Sequence, residues 1–145
     1  MTRRIRVATE IPAPPGVVWA DIRQIERHVE WMQDAVAITF TTPQHEGEGT
    51  AFDCATRVGP IRLTDRMIVT EWSGEHALGI RHVGLVTGSG RFTLVPVGSG
   101  STQFSWEEEL VFPWWMGGGF GALIGGVVLG RLWRRNLRNL RDRFV

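Results

Sequence analysis

The feature of this chain that most constrains its fold is a change of hydrophobic period at Gly117-Gly118-Gly119. Before these glycines, short segments alternate apolar and polar residues, a pattern that is typical of β-strands. After them the apolar spacing becomes three and four, which predicts one long helix from about Phe120 to Phe144. One face of this helix carries Leu123, Gly126, Gly130, Trp133, Leu137, Leu140 and Phe144.

Seven segments have the composition and the flanking turn residues of strands. Two short helices are predicted between the first two strands, one beginning at Pro14-Pro15 and the next covering Asp21 to Trp31. Because short turns join consecutive strands, we expect an antiparallel sheet whose apolar face needs a cover. Only the C-terminal helix is long enough to cross its concave face. The predicted strands are 3–11, 35–42, 50–58, 61–72, 77–83, 90–97 and 102–112.

The bulk composition limits the class of protein. The 145 residues fit one domain, 1–145, and the formal charge of +1 gives no support for a nucleic-acid partner. Cys54 is the only cysteine, which excludes an intramolecular disulfide and suits a reducing compartment. No apolar segment follows the basic Met1–Arg6, so we expect no signal peptide and a cytoplasmic location.

One uncharged stretch, Leu110 to Gly130, is long enough to be tested as a membrane span. Pro113 and the three glycines interrupt its first half. A helix from Phe120 to Leu132 would reach only ~20 Å, whereas the hydrocarbon core of a bilayer is ~30 Å thick. A buried helix is therefore the better prediction.

Several short motifs follow one another along the whole chain. They are Ile11-Pro12-Ala13-Pro14-Pro15-Gly16-Val17-Val18-Trp19, Glu30-Trp31-Met32, Gly49-Thr50, Val69-Thr70-Glu71-Trp72, Gly100-Ser101-Thr102 and Phe104-Ser105-Trp106. Their order resembles the START-related helix-grip superfamily (SRPBCC), and above all its polyketide cyclase/dehydrase and coenzyme-Q-binding branch. The resemblance implies an α+β helix-grip fold, in which a seven-stranded curved antiparallel sheet, two short helices and a long C-terminal helix enclose a cavity. It does not determine function, because members bind, transport or convert different apolar ligands.

Three ionisable residues are expected to point into the interior. Period-two alternation places Asp65, His82 and Glu108 on the apolar faces of their strands. A lone buried carboxylate is costly and needs a partner. These residues therefore pair with one another or with Arg81 or Arg91, orient a ligand's carbonyl or hydroxyl, or perform acid–base chemistry on a bound polyketide. No metal-ligand spacing or nucleophile–base arrangement is present, so we assign no catalytic residue, metal or cofactor.

The ligand site is predicted where the helix meets the sheet. Gly126 and Gly130 remove side-chain bulk from the covering face, which leaves room either for a ligand or for close helix–sheet packing. A typical ligand site has ~300–1,000 Å³. The Gly121/Gly125 pair would also suit a homodimer contact. The candidate ligand-binding residues are Trp31, Leu63, Asp65, Met67, Ile80, His82, Phe92, Leu94, Phe104, Trp106, Glu108, Gly126, Gly130 and Trp133.

The sequence therefore predicts a protein that binds or carries a hydrophobic small molecule, such as a lipid, a quinone or a polyketide-like compound. The alternatives are a polyketide cyclase or dehydratase and a protein-interaction module. Trp114-Trp115-Met116 leaves a peripheral membrane contact open. The terminal arginines suit either such a contact or a solvated face near a helix C-terminus. These arginines are Arg131, Arg134, Arg135, Arg138, Arg141 and Arg143.

Overall fold

The computed structural model describes residues 2–113 and 126–145. It contains a seven-stranded sheet in the order β1-β7-β6-β5-β4-β3-β2, and every neighbouring pair is antiparallel. This confirms the predicted α+β architecture. The strands are β1 Thr2–Ile11, β2 Ala35–Phe40, β3 Ala51–Val58, β4 Ile61–Ser73, β5 Ala77–Val83, β6 Thr87–Val97 and β7 Ser101–Val111. The helices are α1 Pro15–Ile22, a 3₁₀ helix Ile25–Glu30 and α2 Gly126–Asp142.

Residues 41–50 form a longer connection between β2 and β3, and short turns join the strands from β3 to β7, so each of these strands pairs with the next one along the chain. Gly59 and Gly98 take φ values of 58° and 59° in two of these turns. Glycine adopts this left-handed conformation without steric cost, because it has no Cβ. The first strand is the exception to sequential pairing, since β1 lies beside β7 and Ile11 pairs with Thr102.

The second predicted helix is shorter than expected and is not an α-helix. Helix α1 ends at Ile22, and the 3₁₀ helix begins only at Ile25. The carbonyl of Ile22 accepts a hydrogen bond from Nε2 of the buried His28, at 2.8 Å. In a continuing α-helix, the Ile22 carbonyl would instead accept a hydrogen bond from the backbone N–H of Glu26, four residues later.

Helix α2 covers the sheet as predicted, although it ends at Asp142 rather than Phe144. The predicted start, Phe120, lies outside the described residues. The helix packs against β1 and buries its apolar stripe in the larger core cluster. A separate small cluster joins the 3₁₀ helix to the central strands through Ile25, Phe52, Val69 and Ile80. The buried stripe residues of α2 are Leu129, Trp133, Leu137 and Leu140.

Candidate functional site

A cavity of about 130 Å³ lies between the sheet, the 3₁₀ helix and α2. It is smaller than the ~300–1,000 Å³ expected from the sequence. Large side chains narrow it, since Trp106 and Trp133 form one wall and Phe52 and Phe92 contribute to others. For comparison, an apolar cavity of ~150 Å³ takes up benzene. This space therefore suits about one ring.

Most of the predicted ligand-binding residues line this cavity. They come from strands that are distant in sequence, and the sheet brings their inward faces together. The predicted residues on the cavity wall are Leu63, Asp65, Met67, Ile80, His82, Phe92, Trp106, Glu108 and Trp133.

Three predicted residues lie in the packed core instead. Phe104 and Leu94 belong to the larger core cluster, in which the ring of Phe104 lies 5.1 Å from that of Phe92. Trp31 packs edge-on against Trp106, with ring centroids 6.1 Å apart. All three are buried.

Of the two helix glycines, Gly130 is not among the described residues that line the cavity. Among the described residues, a Cβ on Gly130 would meet only Nη1 of the exposed Arg134, at 3.8 Å. A methyl group at Gly130 would therefore be accommodated without a close contact to any described residue. The surroundings of Gly126 are not described.

The three ionisable residues meet at one point of the cavity wall. Nδ1 of His82 lies 2.9 Å from Oδ1 of Asp65, and Nε2 lies 2.7 Å from Oε2 of Glu108. The imidazole therefore bridges β4, β5 and β7, with 5% of its side chain exposed. The two arginines considered as partners, Arg81 and Arg91, do not bind this cluster. Arg81 is exposed, and Arg91 binds Glu71 at the surface.

Gly90 makes this arrangement sterically feasible. It lies opposite Glu108 on β6, the strand between β5 and β7. A Cβ at Gly90 would overlap the carboxylate of Glu108. The missing side chain therefore lets Glu108 pass over β6 and reach His82.

The electrostatics of His82 follow from its two neighbours. Burial alone lowers the pKa of an imidazole, but the hydrogen bonds to Asp65 and Glu108 outweigh it and raise the pKa of His82 to about 10. The ring is then an imidazolium at neutral pH, and both of its N–H groups donate. With the two carboxylates ionised, the cluster carries one net negative charge.

A second polar cluster, which the sequence analysis missed, attaches α2 to the segment before β2. Oδ1 of Asp34 accepts a hydrogen bond from Nδ2 of Asn136 at 2.7 Å, and Oδ2 accepts one from Nε1 of Trp133 at 3.2 Å. Oδ1 of Asn136 accepts the backbone N–H of Gln33 at 3.0 Å. Burial raises the pKa of Asp34, and these side-chain donors partly oppose the rise. Asn136 was the available signal, since it is an amide among the buried residues of the helix.

Two stacked indoles link the polar clusters. The rings of Trp106 and Trp133 are 4.4 Å apart at 14°. Trp133 donates to Asp34, whereas Nε1 of Trp106 donates to Oε1 of Glu108 at 3.2 Å. The indole pair therefore forms an apolar wall that is anchored to a carboxylate on either side.

Other predicted contacts fall partly outside the described residues. Trp114-Trp115-Met116, Gly121 and Gly125 lie there, so neither the membrane contact nor the homodimer contact acquires a structural description. Arg143 binds Asp21 at 2.8 Å, and the other five terminal arginines are exposed.

None of the helices described here is both long and apolar enough to cross a membrane. Within residues 2–113 and 126–145, no group of three or more His, Cys, Asp or Glu residues is arranged to hold a metal ion.

The fold is shared with solved structures of low sequence identity. It is similar to an aromatase/cyclase from Streptomyces sp. R1128, with a TM-score of 0.80, 14% identity, and coverage of 99% of this chain and 93% of that one. It is also similar to a START superfamily protein from Mycobacterium smegmatis, with a TM-score of 0.79, 11% identity and coverage of 97% and 96%. For norcoclaurine synthase from Thalictrum flavum the TM-score is 0.71, the identity 15% and the coverage 99% and 86%.

The sequence itself gives a family match. No curated protein sequence matches this chain significantly. The family described as polyketide cyclase/dehydrase and lipid transport matches residues 2–145, which is nearly the whole chain. The match agrees with the helix-grip fold and with the resemblance carried by the sequence motifs. The chain belongs to the polyketide cyclase/dehydrase and lipid transport family.

Proposed function

We propose that this protein binds or carries a hydrophobic small molecule in the cytoplasm, and that a ring or short chain of a lipid, quinone or polyketide-like compound occupies the cavity. One observation carries the proposal: an apolar cavity within the fold has a cluster of buried ionisable groups, Asp65, His82 and Glu108, at one wall. Ligand pockets commonly combine an apolar lining with a few polar groups that fix the ligand's orientation.

The cavity offers different surfaces to the two ends of such a ligand. The stacked Trp106 and Trp133 present aromatic area, which favours a flat ring through offset or edge contacts. The Asp65–His82–Glu108 cluster presents the polar groups. A ligand with one polar substituent on an apolar ring would therefore bind in a defined orientation.

The alternative is a cyclase or dehydratase, in line with the family and with the aromatase/cyclase of similar fold. The observation that favours it is His82, an acid–base group inside the cavity. General acid–base catalysis is most effective when the pKa lies near the working pH. Because two carboxylates hold the proton of His82 firmly, binding accounts for the geometry better than proton transfer does.

Native mass spectrometry of protein purified from its own host, without detergent, tests the proposal. The wild-type protein is expected to retain an apolar molecule of defined mass. Leu63→Trp adds bulk to the cavity wall, so it is expected to lose that molecule while remaining folded. Val95→Trp is the matched control, because Val95 is half exposed on β6 and is not part of that wall.

The two variants separate the outcomes. Loss of the bound mass in Leu63→Trp, with retention in Val95→Trp, supports binding in this cavity. Equal retention in both variants places the ligand elsewhere and overturns the proposal. If no molecule is retained, toluene titrated into the three proteins provides the same comparison.

A further inference from the structure

We infer that the ligand of this cavity presents a hydroxyl donor to the carboxylates of Asp65 and Glu108, and that the cavity rejects carboxylate ligands such as fatty acids. The inference rests on the proposed binding function and adds the ligand's chemical class. It follows from counting the hydrogen-bond donors, the acceptors and the charges that face the cavity.

The side-chain donors of the described cavity wall are already engaged. Both N–H groups of His82 bind the two carboxylates, and the indole of Trp106 binds Glu108. The indole of Trp133 donates to Asp34. Three more wall side chains donate within the protein, namely His28 to the Ile22 carbonyl, Cys54 to the Ala55 carbonyl and Thr56 to the Cys54 carbonyl. Nε and Nη2 of Arg91 bind Glu71, and this half-exposed guanidinium lies on the face of β6 opposite to that of the buried Gly90 and Phe92.

The acceptors, in contrast, have spare capacity. Each oxygen of Glu108 accepts one side-chain hydrogen bond, from Trp106 or from His82. An ionised carboxylate offers about four acceptor positions. Among the wall residues that the structure describes, a ligand carbonyl would find no side-chain donor free to face it, whereas a ligand hydroxyl would find a free acceptor.

The charges point the same way. Asp65 and Glu108 face the cavity on either side of the imidazolium of His82, and Asp34, whose pKa is raised by burial, is left out of this count. The guanidinium of Arg91 is paired with Glu71 at the surface. Residues 114–125, which the structure does not describe, include no ionisable side chain.

Two further titratable groups on the wall remain neutral near pH 7. Burial lowers the pKa of His28 and raises that of Cys54 to about 11. Two carboxylates against one imidazolium therefore leave the Asp65–His82–Glu108 cluster with an excess negative charge. A ligand carboxylate would be desolvated beside like charges and without a free cation, which is strongly unfavourable.

Four ring compounds of similar size test the inference on the wild-type protein. Toluene has no polar group, phenol has a donor, benzaldehyde has only an acceptor and benzoate is an anion. We expect phenol to bind at least about tenfold more tightly than toluene, because hydrogen bonds to charged acceptors are among the stronger ones. Benzaldehyde is expected to bind no more tightly than toluene, and benzoate is expected not to bind.

Isothermal titration calorimetry gives the affinities, and the NMR signal of the Trp106 indole N–H reports whether phenol reaches Glu108. Glu108→Gln, which replaces an acceptor oxygen by an NH₂ donor, is expected to reduce the preference for phenol over benzaldehyde. Glu107→Gln is the matched control. Glu107 is the next residue on β7, pairs with Arg6 at the surface and is 59% exposed, so the preference should be unchanged.

The outcomes are distinct. Toluene binding without a preference for phenol, or tight binding of benzaldehyde or benzoate, overturns the inference and leaves the proposed function standing. A preference for phenol that Glu107→Gln weakens as much as Glu108→Gln does also overturns it, because the effect would then be one of net charge. Failure of all four compounds to bind overturns the proposed function and the inference with it.

Discussion

Nε2 of His82 lies 2.7 Å from Oε2 of Glu108, although β6 separates the strands that carry these two residues. The contact spans two strand spacings, so it depends on the length of the glutamate side chain and on the missing side chain at Gly90. It is the shorter of the two hydrogen bonds that hold the imidazolium, the other being that to Asp65.

The first prediction concerns the stability of the protein at alkaline pH. The pKa of His82 is raised from 6.5 to about 10 on folding, so its stabilising effect is full below pH 6.5 and is lost as the pH rises through 10. Each unit of pKa difference corresponds to ~1.4 kcal/mol, so the free energy of unfolding should fall by several kcal/mol across this range. Urea unfolding of the wild type and of His82→Gln measures the fall, which should be absent in the variant below pH 9.

The sequence makes this measurement unusually clear. It contains neither lysine nor tyrosine, so few other groups titrate between pH 6.5 and 10. Cys54, whose pKa is raised from 9.0 to about 11, adds a loss of stability above pH 9 that both proteins share. His76→Gln, at an exposed histidine, serves as the control. A wild-type protein whose stability is constant up to pH 9 would contradict the assigned role of His82.

The second prediction concerns Gly90→Ala. The added methyl group would overlap the carboxylate of Glu108 and displace it from His82, so we expect a loss of ~1–3 kcal/mol in the free energy of unfolding. Gly100→Ala is the control, because a Cβ at Gly100 would meet nothing within 4 Å. In a Glu108→Ala background the Gly90→Ala penalty should largely disappear. A penalty that persists there would show that the overlap with Glu108 is not its cause.

The third prediction concerns the attachment of α2. Asn136→Ala removes one hydrogen bond to Asp34 and one from Gln33 at a fully buried position, which should destabilise the protein by at least ~1–3 kcal/mol. Asn139→Ala is matched in chemistry but removes a single 3.3 Å hydrogen bond, to the carbonyl of Trp31. Urea unfolding compares the two variants, and an equal loss in both would argue against the special role of Asn136.

The fourth prediction concerns Gly130. Among the described residues, a Cβ at Gly130 would contact only Arg134, at an ordinary van der Waals distance. Gly130→Ala should therefore raise the free energy of unfolding by up to ~1 kcal/mol, because alanine has a higher helix propensity than glycine. Toluene affinity should be unchanged, since Gly130 is not part of the cavity wall. A raised Tm with unchanged affinity is therefore expected. Weakened binding would restore the interpretation, drawn from the sequence, that this glycine makes room for the ligand.

The sequence predicted the strands and their inward faces well, because a period of two residues is a local property of each strand. The burial of Phe104, Trp106, Glu108 and Leu110 on β7 agrees with it. The partners of the buried charges were harder to predict. Glu108 reaches His82 only because Gly90 leaves space, and that relationship depends on the pairing of three strands rather than on any local pattern.

The helical parts were predicted less completely for two different reasons. The 3₁₀ helix departs from the expected α-helix because the ring of His28 takes a backbone carbonyl, a contact between residues six positions apart. Asp34 was missed because it lies in a connecting segment, where acidic residues are usually solvated. The hydrogen bonds that hold the Asp34 carboxylate come from Asn136 and Trp133, about a hundred residues later in the chain.

The pairing of β1 with β7 has a consequence for how the chain acquires its structure during translation. Ile11 finds its partner, Thr102, only after almost all of the other strands have been synthesised. Strands β2 to β6 can form their hairpins as they emerge, whereas β1 must remain unpaired for most of that time. Closing so long a segment of chain is entropically costly and slow. The nascent chain thus leaves Ile5, Val7 and Ile11, the inward-facing side chains of β1, without their partner strand until late in its synthesis.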